Sequence, residues 1–264
     1  MDALRPQALA ELPEAAVRGV QGVLTDIDDT LTREGRIEPP ALQALHDLAA
    51  AGWPVIAVTG RPAGWSEPFA LAWPVAAIVA ENGAVMLRRD GSGLRRDFVQ
   101  DERTRSLNFD RLQQCAAAVQ AAVPSARLAR DSGGRLTDIA VDHSEFAQLD
   151  APQIDAVLAV MHAHGLRASV SSIHVNGWIG EHDKWSGACW AVRQTQGRPL
   201  DPAAWVYVGD STNDQRMFEQ LPLSVAVANI ERFLPQLQVR PAYVTPSERG
   251  RGFAELAQRL LAAR

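Results

Sequence analysis

Cysteine is scarce in this chain, and so are long apolar runs. Only Cys115 and Cys189 occur among 264 residues, without the spacing of a metal site, so neither a disulfide framework nor a zinc site is expected. No segment approaches the roughly 18 apolar residues that a membrane-spanning helix needs. The N-terminus lacks the basic start and apolar run of a secretion signal. We therefore expect a cytoplasmic protein that does not bind membranes.

Positive charge is also limited. The chain has 26 Lys and Arg residues against 31 Asp and Glu residues, which gives a formal net charge of −5. The basic residues are dispersed along the chain, so nucleic acid is not an expected partner. With 47% hydrophobic and 22% charged residues, the composition is that of a globular protein, and the length allows two domains.

Both ends of the chain alternate short apolar segments with amphipathic ones. The patterns predict strands at 20–28, 54–60, 75–87, 204–210 and 223–228, and helices at 39–52, 63–72, 183–196, 213–220 and 252–263. Wholly apolar strands that alternate with helices are typical of a parallel sheet covered on both faces. We predict an α/β fold with a doubly wound, Rossmann-like parallel sheet.

The middle of the chain has a different pattern. Helical periodicity at 109–123 and 151–165 accompanies strand-like alternation at 135–143 and 167–181. This combination predicts an inserted α+β domain. We therefore assign residues 1–90 and 180–264 to the core and 91–179 to the insert.

Polar residues follow the core strands or open the next helix in four segments. These segments are Asp26 to Thr30, Thr59-Gly60-Arg61, Lys184 and "GDSTND" at 209–214. Ligands of an open parallel sheet bind at the carboxyl ends of the strands, where helix N-termini also present free N–H groups to anions. The four segments are therefore candidates for one site.

The acidic residues of these segments suggest a metal site. Asp26 and Asp28 lie on the same side of an extended segment, and Asp210 arrives from another strand end. Two carboxylates about 4 Å apart repel by about 4 kcal/mol at an effective dielectric near 20. A bound cation would offset this cost, and ligands that are all oxygen favour Mg²⁺. A carboxylate beside such a metal can attack phosphorus, and a second carboxyl can serve as acid and base.

The motifs resemble those of a known superfamily. "DIDDT", "VTGR", a lone Lys and "GDSTND", in this order, are similar to the four motifs of the haloacid dehalogenase phosphatases. "ENGA" at 81–84 and the insert resemble its Cof-like (IIB) subgroup, in particular the sugar-phosphate and mannosyl-3-phosphoglycerate phosphatases. The resemblance implies a Mg²⁺-dependent phosphatase that acts on a small-molecule phosphate ester, a sugar phosphate, through an aspartyl-phosphate. The insert would be the cap that reads the leaving group.

The resemblance also implies roles for individual residues. Asp26 would be the nucleophile and Asp28 the acid and base, with the Asp28 backbone carbonyl on Mg²⁺. The metal ligands would be Asp26, Asp28, Asp210 and Asp214. The phosphate and substrate would be bound by Thr59, Gly60, Arg61, Asn82, His174, Asn176, Lys184 and Asn213. Asp29, by contrast, alternates to the opposite side, so we expect it to shape the turn. The segment around Lys184 is poorer in Gly than the family pattern.

Other classes of protein also cluster carboxylates. A calcium-binding EF-hand needs Gly and Glu where this chain has Leu31 and Ile37, and a phosphorylation receiver domain is about half as long and has no cap. A phosphosugar mutase of the same fold and a phosphosugar sensor without turnover both remain compatible with the motifs. So do a monomer and a homodimer.

Overall fold

The computed structural model describes residues 5–91 and 93–263. Two β-sheets and one short hairpin account for the strands, which are β1 (Gln7–Ala8), β2 (Gly22–Thr25), β3 (Thr32–Arg33), β4 (Arg36–Ile37), β5 (Val55–Val58), β6 (Ala77–Ala80), β7 (Val85–Asp90), β8 (Gly93–Phe98), β9 (Arg127–Leu128), β10 (Asp138–Asp142), β11 (Arg167–Val170), β12 (His174–Trp178), β13 (Trp205–Gly209), β14 (Leu223–Ala226) and β15 (Tyr243–Val244). The α-helices are α1 (Glu14–Arg18), α2 (Pro39–Ala50), α3 (Ala63–Ala72), α4 (Glu102–Ala122), α5 (Ala151–Ala163), α6 (Lys184–Gln196), α7 (Gln215–Gln220) and α8 (Arg249–Ala262).

The larger sheet has nine strands in the order β1-β15-β14-β13-β2-β5-β6-β7-β8. All neighbours from β1 to β6 are parallel, whereas β7 pairs antiparallel with both β6 and β8. Chain connections run in opposite directions on the two sides of β2, because β5 lies on one side and β13 on the other. This is the switch point at which open α/β sheets bind ligands. The predicted doubly wound α/β core is confirmed.

Alternation along the strands explains why helices cover both faces of this sheet. Val23 and Val208 belong to the cluster that packs against α2 and α8, whereas Leu24 and Ile56 belong to the cluster that packs against α6 and α7. All four side chains are fully buried. A strand that is apolar on both sides needs two covering layers, as the sequence pattern indicated.

The second sheet has four antiparallel strands in the order β11-β12-β10-β9. Helices α4 and α5 pack on one face of it around buried residues such as Leu112, Met161 and Val175. This layer forms the α+β insert that the middle of the sequence predicted, and we refer to it as the cap. No helix among the described residues has the length and apolarity required to cross a bilayer.

The strand β8 lies in the core sheet, whereas the sequence pattern placed its residues in the insert. Residues 91–98 were assigned to the insert, but β8 pairs with β7 over six residues and so extends the nine-stranded sheet. The reason is local, because a tight turn returns the chain along the strand that it has just formed. We therefore propose that the cap begins after Phe98 and ends near residue 179. Met1–Leu4, Ser92 and Arg264 of the predicted segments lie outside the described residues.

Candidate active site

Three neighbouring strands of the large sheet end in polar residues. Asp26 follows β2, Thr59 follows β5 and Asp210 follows β13. The pairing of β2 with both β5 and β13 places these residues at one edge of the sheet. The structure thus brings together segments that are about 180 positions apart in the chain.

Asp26 is held at this edge by backbone and side-chain contacts. Its N–H donates to the Val208 carbonyl at 2.9 Å, and its Oδ1 accepts from Lys184 Nζ at 2.5 Å. Asp26 is only 5% exposed. Burial raises its pKa to about 8, and the Asp214 and Asp28 carboxylates add to this increase while Lys184 opposes it. A cation in addition to Lys184 would therefore favour the ionised form of Asp26.

Lys184, the only lysine of the chain, is the first residue of α6. Asp183 caps this helix by accepting a hydrogen bond from the Ser186 N–H at 2.7 Å. Lys184 Nζ lies 2.7 Å from Asp214 Oδ1 and 3.3 Å from Asn213 Oδ1. Although burial disfavours the charged amine, the Asp214 and Asp26 carboxylates raise the pKa of Lys184. The site therefore contains a fixed ammonium group next to Asp26.

Both carboxylate oxygens of Asp214 accept hydrogen bonds from the protein. Its Oδ1 accepts from Lys184 and from the Tyr207 hydroxyl, and its Oδ2 accepts from the N–H groups of Asp210 and Ser211 at 2.8 and 3.1 Å. Burial, followed by the charge of Asp214, raises the pKa of Tyr207, so this phenol stays a donor. Asp214 therefore orders the loop and supports Lys184.

In Asp210, unlike Asp214, only one of the two carboxylate oxygens accepts a hydrogen bond from the described residues. Its Oδ2 accepts from Asn229 Nδ2 at 3.0 Å, but its buried Oδ1 has no hydrogen-bond partner among the described residues. Burial and the charges of Asp26 and Asp214 raise the pKa of Asp210. A buried carboxylate oxygen without a donor is costly unless a cation binds it.

These carboxylates fit a divalent cation. Oxygens of Asp26, Asp210 and Asp214 lie within 4.8 Å of one another, and all three residues are buried. Oxygen ligands suit a hard divalent ion, and such an ion would relieve the mutual repulsion that raises the pKa values. Asp28 lies outside this cluster, and its carboxylate is turned toward Arg61.

The Thr59-Gly60 loop lies under the cap. Thr59 Oγ1 accepts from the Arg61 N–H at 3.0 Å, and the Gly60 carbonyl accepts from Asn176 Nδ2 at 3.1 Å and from Arg135 Nη1 at 3.0 Å. A Cβ atom at Gly60 would approach the Asn82 and Asn176 side chains to 3.2 and 3.3 Å. Glycine therefore permits the close contact between this loop and the cap.

Arg61 does not reach the Asp26 cluster. Its guanidinium donates to Asp28 Oδ1 and Oδ2, to Asp131 Oδ2 at 3.0 Å and to Glu145 Oε1 at 2.7 Å. The Arg61 side chain is 5% exposed. Although burial opposes it, these carboxylates, with Asp28 foremost, raise the pKa of Arg61. The predicted phosphate-binding arginine thus joins Asp28 to two acids of the cap.

Two predicted cap residues face the core. His174 Nε2 lies 2.9 Å from Glu145 Oε2, and Asn176 donates to the Gly60 carbonyl, whereas Val175 between them points into the cap core. Period-two alternation along β12 produces this arrangement, as the sequence indicated. Asn82 also contacts the cap, since its Nδ2 donates to Asp138 Oδ2 at 3.3 Å.

Glu81, which precedes Asn82, joins the core to the cap. Its buried carboxylate accepts from the N–H groups of Ala63, Leu136 and Thr137. Both Glu81 and Asn82 have positive φ values, 50° and 54°, which turn the Glu81 side chain toward the cap. The "ENGA" segment is therefore an anchor for the cap.

Asp29 takes no part in the acidic cluster. Its φ of 55° is left-handed, and its carboxylate pairs with Arg249 Nε at 2.7 Å and with Arg232 Nη2 at 3.1 Å. The structure agrees with the expectation that Asp29 shapes the turn after β2.

Little space remains between core and cap above Asp26. The cavity there measures about 10 Å³ and is lined by Asp26, Asp28, Thr59, Gly60, Arg61, Ser171, Ser172, Ile173, His174, Asn176, Ser211 and Asn213. That volume is about the space of one water molecule. A phosphate ester therefore requires the cap to move away from the core. A neighbouring cavity of about 720 Å³ opens outward past Asp28, Arg61 and Glu145.

Several residues of the site belong to none of the sequence motifs. Tyr207 is a polar aromatic residue inside an apolar strand, and its position two residues before Gly209 could have indicated a buried donor. Asn229, Asp131 and Glu145 lie in segments without a motif, and only the folded chain brings them near Asp28 or Asp210.

Comparisons with known proteins agree with this geometry. Residues 23–120 match the family model of the haloacid dehalogenase-like hydrolases. The chain is similar to a phosphoglycolate phosphatase of Haloarcula marismortui, with 29% identity over 88% of this chain and 94% of that protein.

Two solved structures share the fold. The protein 0175 of Thermoplasma acidophilum has a TM-score of 0.69 and 19% identity, covering 92% of this chain and 98% of its own. A sugar phosphatase of haloacid dehalogenase subclass IIB has a TM-score of 0.62 and 14% identity, covering 93% of this chain and all of its own.

Proposed function

We propose that this chain, which the matches support as a haloacid dehalogenase-like phosphatase of the Cof-like type, is a Mg²⁺-dependent hydrolase of a small sugar phosphate. The observation that carries the proposal is one buried group of charges at the edge of the sheet. Asp26 and Lys184 are 2.5 Å apart there, beside an Asp210 oxygen that has no donor among the described residues. A nucleophile, a fixed ammonium and a cation ligand are the requirements of phosphoryl transfer.

The residues of this site suggest two displacements. Asp26 would attack phosphorus and form an aspartyl-phosphate while the bond to the leaving oxygen breaks. Asp28 would deliver a proton to that oxygen and later remove one from the water that hydrolyses the intermediate. Lys184, Thr59 and the loop N–H groups would bind the phosphoryl oxygens, and Asn213 would help orient them.

The acidic cluster would hold the Mg²⁺ ion. We assign Asp26, Asp210 and the Asp28 backbone carbonyl as ligands, with Asp214 in support because its oxygens already accept four hydrogen bonds. The bound ion would neutralise charge on the transferred phosphoryl group.

A phosphoglycolate phosphatase is a second candidate. The similarity to the Haloarcula marismortui protein over most of both chains favours it. Both candidates share the site described here and differ in the leaving group, which is a polyol in one case and a glycolate in the other.

A phosphate-release assay tests the proposal. The purified chain would be incubated with a panel of sugar phosphates and with phosphoglycolate, in Mg²⁺ or in EDTA. We expect inorganic phosphate in Mg²⁺ and at least a hundredfold less in EDTA. Conversion of one sugar phosphate isomer into another without free phosphate would indicate a mutase instead. Binding without turnover across the whole panel would indicate a sensor.

A further inference from the structure

Glu145 of the cap lies beside the residue that meets the leaving group. Arg61 Nη2 donates to Asp28 Oδ1 at 3.0 Å and to Glu145 Oε1 at 2.7 Å, so the two carboxylates lie within two hydrogen-bond lengths of each other. Both residues also line the outward cavity of about 720 Å³. A leaving group that extends from Asp28 into this cavity therefore lies beside Glu145.

The loop that presents Glu145 is fixed in place. Asp142, at the end of β10, accepts hydrogen bonds from four successive backbone N–H groups, those of residues 144–147, at 2.8 to 3.2 Å. His174 Nε2 then contacts Glu145 Oε2 at 2.9 Å. Glu145 thus has a defined position when the cap is closed, which is a requirement for discriminating between substrates.

Carboxyl groups outnumber guanidinium groups among the contacts of Arg61 and Arg135. The guanidinium groups of Arg61 and Arg135 contact four carboxyl groups, those of Asp28, Asp131, Asp138 and Glu145. Although burial acts in the opposite direction, hydrogen bonds from His174 and Arg61 lower the pKa of Glu145 to about 2, so it is ionised at neutral pH.

Carboxylates still outnumber these two guanidinium groups when Asp138 is neutral. Burial raises the pKa of Asp138 to about 7, against the effect of Arg135, and three carboxylates still face the two guanidinium groups when it is protonated. The outer cavity is also lined by Glu34 and by three further arginines, Arg36, Arg232 and Arg249, of which Arg232 and Arg249 are paired with Asp29.

We infer that Glu145 makes the site selective for the charge of the leaving group. It favours a neutral, hydroxylated leaving group over one that carries a carboxylate near the phosphate ester. The inference rests on the proposed phosphatase function. Glu145 Oε1 has a lone pair free to accept a hydrogen bond from a substrate hydroxyl. A substrate carboxylate at the same place would face a like charge in a partly buried setting.

Matched substrate pairs test this inference. Each pair differs only by CH₂OH against COO⁻: glycerol phosphate with 3-phosphoglycerate, and hydroxyethyl phosphate with phosphoglycolate. We expect kcat/KM of the wild-type protein to be about tenfold higher for the neutral member, which corresponds to about 1.4 kcal/mol. In Glu145→Gln the preference should fall to about one, through a gain on the carboxylate member. Glu219→Gln removes an exposed acid that is paired with Arg216 and should keep the wild-type ratio.

Two outcomes would overturn the inference. One is a wild-type protein that prefers the carboxylate members, and the other is a ratio that Glu145→Gln leaves unchanged. If no substrate releases phosphate, the phosphatase function itself fails, and the same pairs are compared by calorimetric binding. Charge selection then stands only if the wild-type protein binds the neutral member more tightly and Glu145→Gln removes the difference. Equal affinities, or no binding at all, would refute it.

Discussion

At the scale of single residues, Asp26 and Lys184 depend on each other. Each is buried, and an isolated buried charge would cost several kcal/mol. Their contact offsets part of that cost, and Asp214 provides Lys184 with a second carboxylate. This arrangement holds Asp26, the proposed nucleophile, in one position before a substrate arrives, which is how preorganised sites lower a barrier.

We predict that Asp26→Asn lowers turnover of the best substrate at least a thousandfold, because the amide cannot attack phosphorus. The measurement is phosphate release at saturating substrate, with circular dichroism to show that the variant folds. Asp29→Asn is the matched control, since Asp29 lies three residues away and its carboxylate pairs with Arg232 and Arg249. It should keep activity within about tenfold. If Asp26→Asn retained a tenth of the wild-type activity, Asp26 would not be the nucleophile.

At the scale of elements, two connections join the cap to the core. They run from β8 to α4 and from β12 to α6, and they contact each other where Gln100 Nε2 donates to the Ile179 carbonyl at 2.8 Å. In the second connection, Trp178 Nε1 donates to the His182 carbonyl at 2.8 Å, and Gly180 has a φ of 128°. Because these two connections are where the chain passes between the sheets, any cap movement bends them.

His182 in this connection should make stability depend on pH. Burial lowers its pKa from 6.5 to about 4, and its Nε2 has no partner among the described residues. Below pH 6.5 the unfolded chain therefore binds a proton that the folded protein does not. The stability from this group is complete above pH 6.5 and is lost as the pH falls toward 4, by about 3 kcal/mol.

Urea unfolding of the wild-type protein and of His182→Gln at pH 7 and pH 4.5 measures this effect. The loss of unfolding free energy between the two pH values should be about 2 kcal/mol smaller in His182→Gln. The exposed His46 provides the control, because His46→Gln should show the wild-type loss. An equal loss in all three proteins would contradict a buried neutral His182.

At the scale of the whole molecule, polar contacts between core and cap hold the closed arrangement. Glu81 accepts from backbone N–H groups of the cap, and Thr212 Oγ1 donates to the Val170 carbonyl at 2.6 Å. Arg61 adds its contacts with Asp131 and Glu145. These are hydrogen bonds and ion pairs, which water can replace when core and cap separate.

Mg²⁺ should stabilise the folded molecule, because the unfolded chain does not bring the acidic residues together. At a Mg²⁺ concentration 100 times Kd, the gain is about 2.7 kcal/mol. For a chain of this size we expect Tm to rise by about 5 to 10 °C in differential scanning calorimetry. Asp210→Asn should abolish most of this rise, whereas Asp155→Asn, on the exposed face of α5, should retain it. A Tm shift that survives Asp210→Asn would place the metal elsewhere.

Much of the core could be predicted from local pattern. Strands that are apolar on both sides, such as β2 and β13, indicate a covered parallel sheet because no other environment buries both of their faces. The same logic placed Asp26, Thr59 and Asp210 at one edge, since parallel strands end together. The position of β8 could not be predicted in this way, because its consecutive polar residues, Arg95 to Asp97, suit either the edge of the core or the cap.

The sequence by itself determined the doubly wound fold, the inserted cap and the set of polar segments at the sheet edge, since these follow from periodicity and strand order. Only the tertiary structure decided which side chains meet across the two layers. The guanidinium of Arg61 pairs with Asp28 and with Glu145 of the cap, which lies in no motif. Such pairs depend on how two separately folded layers are oriented, and local spacing along the chain carries no information about that orientation.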